Sequence, residues 1–144
     1  MKVSNIIIDD LEEIENIGKV SLPIYYKQME LLFLLLDKSY NMYKLSKENN
    51  ILGFVIIKYF PDENRHHIMS IAVLPKYRKI NVGITLINKI LKFNSKKISL
   101  YVLTTNVAAI NFYEKNKFIK KNTILNFYKT LETQSAYYYV LNKS

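Results

Sequence analysis

Ile68-Met69-Ser70-Ile71-Ala72-Val73-Leu74-Pro75-Lys76-Tyr77-Arg78-Lys79-Ile80-Asn81-Val82-Gly83 runs from an apolar, strand-like stretch through a short basic loop into the opening of an amphipathic helix. A helix start preceded by Lys76, Arg78 and Lys79 brings unpaired backbone N–H groups, the positive end of a dipole and cationic side chains into one small volume. That combination suits a phosphate group.

The flanking residues extend the pattern on both sides. Downstream, Ile84, Ile87, Ile90 and Leu91 mark one face of a helix, and Ile98 to Leu103 reads as a strand. Strand, helix and strand at this spacing imply a parallel pair joined by a crossover. Upstream, Val3 to Ile8 predicts a first strand. Asp9 or Asp10 then caps a helix with Leu11, Ile14, Ile17 and Val20 at helical spacing. Pro23 breaks that helix, because it cannot continue one and it pushes Leu22 towards an extended conformation.

A second helix is predicted over Gln28 to Leu36. Tyr40 to Ser46, Ile51 to Phe60 and His66 to Leu74 read as three strands of an antiparallel meander. The turns between them are Lys47-Glu48-Asn49-Asn50 and Pro61-Asp62-Glu63-Asn64. Asn106 caps a further helix holding Ala109, Ile110, Phe112 and Tyr113, and Phe118 to Tyr128 and Tyr137 to Leu141 supply the last strands. The architecture expected is α/β, a mixed sheet with helices on both faces, antiparallel early and parallel at the fourth and fifth strands.

With 144 residues, 49% of them hydrophobic, the chain is expected to form one domain over 1–144. No apolar run reaches the roughly 18 residues that span a bilayer. The amino terminus passes within a few residues into Asp9 and Asp10, without the regions of a secretory signal. A soluble, cytoplasmic protein with no membrane partner is therefore expected. The absence of cysteine excludes disulfides, a thiol nucleophile and a Cys-ligated metal site, and two adjacent histidines, His66 and His67, argue against a histidine-rich one. The net charge of +9 is read as a solvated Lys-rich surface, or as attraction to a phosphorylated cofactor or a polyanion such as ribosomal RNA. Composition does not choose among these, and direct nucleic-acid binding stays open.

The order of strand, Arg78-Lys79-Ile80-Asn81-Val82-Gly83 and helix resembles the acetyl-CoA signature of the GCN5-related N-acetyltransferases (GNAT), an Arg or Gln followed by x-x-Gly-x-Gly or Ala. Arg78 and Gly83 match; Asn81 replaces the first Gly and is the non-glycine residue that best tolerates a left-handed backbone. The resemblance implies a GNAT fold with a sheet of about seven strands, whose fourth and fifth strands splay apart around the pantetheine arm of acetyl-CoA. It assigns cofactor contacts to Ile71, Ala72 and Val73, to the loop Arg78, Lys79, Ile80, Asn81, Val82 and Gly83, and to Asn106 and Tyr113.

Further segments are similar to one subgroup, the catalytic subunits of NatE-type N-terminal acetyltransferases. Leu22-Pro23-Ile24-x-Tyr26 resembles its Phe-Pro-Val-x-Tyr loop, Asn106 to Tyr113 its Asn-x-x-Ala-Ile-x-Phe-Tyr segment, and Asn126-Phe127-Tyr128 with Leu131 its peptide-covering hairpin. The resemblance implies an acceptor that is a protein N-terminus, held by Leu22, Pro23, Ile24, Tyr26, Met69, Phe127, Tyr128 and Leu131. An apolar first pocket would favour an initiating methionine. It also implies auxiliary subunits and the ribosome as partners.

In that subgroup a Tyr on the fourth strand and a His on the fifth position a proton-accepting water. This chain has His67 and Tyr101 at those places, the same two residue types exchanged. With an ordinary pKa near 6.5, His67 would accept a proton at neutral pH. Tyr113 is the implied general acid for the departing thiolate. Without the resemblance, His67 is a strand residue near a turn and Tyr101 a packing residue. Two other functions stay open: acetylation of lysine side chains or small amines, and a weakly active CoA-binding subunit of a ribosome-associated complex.

Overall fold

The structure, a computed structural model, describes residues 1–129 and 133–143, with Tyr128, Lys129 and Thr133 represented by their backbone. Its elements are β1 (Lys2–Asn5), α1 (Leu11–Ser21), α2 (Gln28–Leu36), β2 (Tyr40–Lys47), β3 (Asn50–Phe60), β4 (Arg65–Val73), α3 (Val82–Leu91), β5 (Lys97–Leu103), α4 (Val107–Lys115), β6 (Ile119–Lys129) and β7 (Thr133–Asn142). Short 3-10 turns occupy Ile8–Asp10, Pro61–Glu63 and Pro75–Tyr77. The seven strands follow the order β1-β2-β3-β4-β5-β7-β6. The chain forms two compact units, Met1–Tyr59 with Met69–Phe93, and Phe60–Ile68 with Asn94–Ser144.

In the first unit β1 pairs antiparallel with β2, and β2 antiparallel with β3. Ile51 to Ile57 of β3 are buried without interruption, as expected for a strand covered on both faces. The core around α1 and α2 takes in Ile6, Leu11, Ile14, Ile17, Leu31, Met42, Phe54, Ile56 and Ala72. The β2–β3 turn places Glu48 (φ 53°) and Asn49 (φ 67°) in left-handed conformations, the geometry favoured by two-residue hairpin turns.

The first strand is shorter than the sequence predicts, because Ile8 belongs to the 3-10 turn before α1. In that turn the Asp10 carboxylate accepts the Ile7 backbone N–H at 2.9 Å and pairs with Lys44 Nζ at 2.6 Å. Two periodicity assignments also need correction. Val20 is 64% exposed, and Gly18 takes its expected place on the buried face of α1. In α3 the buried face is Val82, Leu86, Ile87 and Ile90, leaving Ile84 and Leu91 at the surface. A helical stripe read a few residues out of phase gives this error.

Gly53 has a steric reason to be glycine. A Cβ there would lie 2.6 Å from the Ala72 carbonyl oxygen and 3.1 Å from Val82 Cγ1, so β3 approaches both β4 and the start of α3 closely.

In the second unit Arg65 to Ile68 of β4 pair in parallel with Lys97 to Leu100 of β5. β5 then pairs antiparallel with β7, and β7 antiparallel with β6, so the last strand inserts between the fifth and sixth. Tyr139 of β7 is fully buried, and its hydroxyl donates to Glu114 of α4 at 2.7 Å. Burial and the neighbouring carboxylate push the Tyr139 phenol well above its usual range. Strand β6 shifts register between Ile124 and Tyr128, where Asn126 adopts φ 57°. Such a bulge redirects the neighbouring side chains. Among the described residues, no helix is long and apolar enough to cross a membrane.

Candidate active site

The basic loop lies in the first unit, between the end of β4 and the start of α3. Asn81 takes φ 66° and ψ 21° as the residue preceding α3, so asparagine does hold the left-handed turn expected of it. Its carbonyl oxygen accepts the Thr85 backbone N–H at 3.1 Å and the Thr85 hydroxyl at 2.6 Å. The N–H groups of the first turn, Gly83 included, have no partner one turn earlier in the helix.

Lys76, Arg78, Lys79 and Ile80 are exposed beside this helix start, and no acidic residue occurs between Leu74 and Ile84. Two arms of the Arg78 guanidinium brace the loop: Nε donates to the Val73 carbonyl and Nη2 to the Ser21 carbonyl, each at 3.2 Å. The remaining donors, lysine ammonium groups and helix N–H groups, have the chemistry a diphosphate requires.

Ala72 is buried, while Ile71 and Val73 are half-buried. Of the residues assigned to the peptide, Leu22, Tyr26 and Met69 pack against the core around α1 and α2, whereas Pro23 and Ile24 are exposed.

The second unit holds the polar and aromatic residues. Parallel register sets His67 opposite Ser99. The alternation of side chains along a strand then puts Arg65 on the face of His67, and Tyr101 on the face of Ser99. Arg65 Nη1 lies 2.6 Å from Ser99 Oγ and 3.2 Å from His67 Nδ1, and Ser99 Oγ lies 2.7 Å from that same Nδ1. Arg65 is held in turn by Glu63, whose Oε2 accepts its Nε–H at 2.6 Å, and by the Phe60 ring, 4.4 Å from the guanidinium carbon. His66 points to a separate partner, Ser95 Oγ, 2.7 Å from its Nδ1.

A continuous aromatic surface extends from this cluster. The Tyr101 ring lies 5.1 Å from the His67 ring, 4.5 Å from Phe127 and 5.0 Å from Tyr138, measured between centroids. Phe127 follows the left-handed Asn126, and the bulge directs it onto Tyr101.

Burial, followed by the positive charge of Arg65 and opposed in part by Glu63, lowers the His67 pKa from 6.5 to about 4. The ordinary histidine pKa expected from the sequence is thereby corrected: the ring is neutral at pH 7 and a poorer proton acceptor than that value implied. Burial also lowers the His66 pKa. Glu63 is held below its usual range by its hydrogen bond to Arg65.

The structure thus brings together His67, Tyr101 and Phe127, and within the first unit it gathers Leu22, Tyr26 and Met69. Asn106 caps α4, its Oδ1 accepting the Ala109 N–H at 3.3 Å. Tyr113 is buried between the rings of Phe112 and Phe118, at 5.6 and 5.7 Å. Leu131 lies outside the described residues, and only the backbone of Tyr128 is described. Sequence reasoning missed Arg65 and Ser99. Their signal is the two-residue step to His67 and to Tyr101, which acquires meaning only once the parallel register is known. Among the described residues, no three His, Asp or Glu side chains are grouped to hold a metal ion.

Residues 4–118 match the acetyltransferase (GNAT) family. The chain is 29% identical over 136 residues to an N-alpha-acetyltransferase of Sulfolobus acidocaldarius, covering 84% of this chain and 81% of that protein. It is 28% identical over 150 residues to N-alpha-acetyltransferase 50 of Danio rerio, covering 94% and 83%. The crystal structure of Ard1 from Thermoplasma volcanium superposes with a TM-score of 0.86 at 25% identity, covering 99% of this chain and 97% of that one.

Proposed function

The chain belongs to the acetyltransferase (GNAT) family, and on that premise we propose that it transfers the acetyl group of acetyl-CoA to the free α-amino group of a protein or peptide. The observation that carries this reading is the aromatic surface of His67, Tyr101, Phe127 and Tyr138, in which the bulge at Asn126 aims a ring across β5. An extended peptide terminus needs rigid apolar walls with a few hydrogen-bonding groups, and these rings supply both. The names borne by the two relatives support the same acceptor. The family match spans both compact units and supports treating 1–144 as one acetyltransferase domain.

The reaction is direct attack in a ternary complex: the neutral amine forms an N–C bond to the thioester carbonyl carbon, the C–S bond breaks, the nitrogen gives up one proton to solvent, and the thiolate takes one up. The loop from Arg78 to Gly83, with Lys76, holds the diphosphate of acetyl-CoA. Backbone groups of Ile71, Ala72 and Val73 hold the pantetheine arm, and Asn106 and Tyr113 lie beside the cofactor. Tyr113 protonates the departing thiolate. Leu22, Pro23, Ile24, Tyr26 and Met69 contact the initiating methionine, and Phe127, Tyr128 and Leu131 are the further peptide contacts that the family resemblance implies.

The exposed Met29, Phe33 and Leu36 of α2 offer an apolar surface to an auxiliary subunit. The net charge of +9 suits work beside the ribosome in the cytoplasm.

The test is acetyl transfer from acetyl-CoA to peptides with free Met, Ser or Lys termini, beside an N-terminally blocked lysine peptide and a polyamine. Met-initiated peptides should react fastest, with a preference of about 10- to 200-fold, the range set by one apolar side-chain contact. Faster transfer to the blocked peptide or the polyamine would overturn the assignment.

A further inference from the structure

We propose that His67 works as a hydrogen-bond donor through its Nε2–H towards a carbonyl oxygen of the bound peptide, and that Ser99 and Arg65 are positioning residues that fix this tautomer. The tautomer follows from the contacts of this chain alone; the identity of the acceptor oxygen rests on the N-terminal acetyltransferase reading.

Three distances carry the argument. A guanidinium has donors and no acceptor, so Arg65 Nη1 must be the donor both to Ser99 Oγ at 2.6 Å and to His67 Nδ1 at 3.2 Å. A proton on Nδ1 would face that N–H donor to donor. With Nδ1 bare, its single lone pair accepts the Ser99 hydroxyl proton at 2.7 Å and, as the weaker arm of a three-centre contact, the Arg65 N–H at 3.2 Å. Every contact is then satisfied by one proton arrangement, and the remaining proton of the neutral ring sits on Nε2. Ser99 is fully buried, and Arg65 and His67 are nearly so, which disfavours exchange of these partners for water.

The groups facing the imidazole agree with this arrangement. Arg65 comes from its own strand, Ser99 and Tyr101 from β5, and Phe60 and Glu63 from the residues preceding β4. Glu63 is bound to Arg65 and so fixes the guanidinium that faces Nδ1. A second proton on the ring would have to enter at Nδ1, against Arg65; burial first, and the Arg65 charge after it, hold the ring neutral. At Nε2 the structure has no hydrogen-bond partner among the described residues. The one fully buried side-chain N or O atom without a partner there is Ser21 Oγ, so Nε2 is not sealed from its surroundings. A donor presented to an open side suits a carbonyl oxygen. The substrate ammonium releases its proton to solvent, which its pKa of roughly 7.7 to 8.0 makes easy at neutral to mildly alkaline pH.

Nitrogen-15 spectra of the imidazole rings in the intact, substrate-free protein test the tautomer, with His66→Gln assigning the two histidines. The expected result is His67 protonated at Nε2, bare at Nδ1 and unchanged from about pH 5.5 to 8.5. The Ser99→Ala, Arg65→Gln double variant should show mixed tautomers and a titration moved towards the ordinary range. A proton on Nδ1, or titration of wild-type His67 near 6.5, would overturn the proposal.

Kinetics test the donor role. His67→Gln retains an N–H donor but no base, so it should keep about 10-fold more turnover than His67→Phe, roughly the worth of one hydrogen bond. Equal losses in both variants, with a wild-type rate limb that vanishes in both, would show a base and overturn the role. Activity confined to lysine or polyamine acceptors, with the tautomer as stated, would overturn the acceptor assignment alone.

Discussion

Acidification should destabilise the fold through His67, by an amount the structure allows us to work out. The imidazole is 7% exposed, and its folded-state pKa is about 4 against 6.5 in an exposed chain. Between those values the unfolded chain binds a proton that the folded chain does not, so stability falls as pH drops through 6.5 and levels off below about 4. Integration across that interval gives a loss of about 3 kcal/mol by pH 4. His66 is shifted in the same direction, so the His67 share must be taken by difference. Urea unfolding of wild type and His67→Gln near pH 7.5 and near pH 4 isolates it. The wild-type midpoint should fall by about 1 to 3 M more than that of the variant, for an m-value of about 1–3 kcal/mol/M. Equal acid shifts in the two proteins would refute the claim that His67 is buried in its neutral form.

Gly53→Ala places a Cβ 2.6 Å from the Ala72 carbonyl and should lower stability by about 1–3 kcal/mol, measured by denaturant titration; an unchanged midpoint would refute the close packing of β3 on β4. Asn81→Val forces a β-branched residue into φ 66° and should cost about 1–2 kcal/mol, whereas Asn81→Gly should be tolerated; equal melting temperatures for the two variants would refute the left-handed loop. Arg78→Glu removes two hydrogen bonds to backbone carbonyls and adds a negative charge beside the start of α3. Calorimetric affinity for CoA should fall by about 10-fold or more, and unchanged affinity with the fold intact would refute the loop's role.

The sequence by itself determined whatever depends on local periodicity and backbone chemistry. The bounds of α2, the three strands between Tyr40 and Val73, the helix that follows the basic loop and the left-handed tolerance of Asn81 were legible, because each is encoded within a few consecutive residues. Exposure of Val20, Ile84 and Leu91 was not, since neighbouring helical positions differ little in pattern and only the partner surface selects the buried face. His67 and Tyr101 were found as residue types, but not their chemistry. The contact of His67 with Ser99 joins positions 32 apart in the chain, and the burial that lowers the imidazole pKa, like the contact itself, exists only once that parallel register has formed. The insertion of β7 between β5 and β6 likewise sets Tyr138 against Tyr101. Register and strand order are settled by long-range packing, and a hydrogen-bond network among distant residues exists only after that packing has formed.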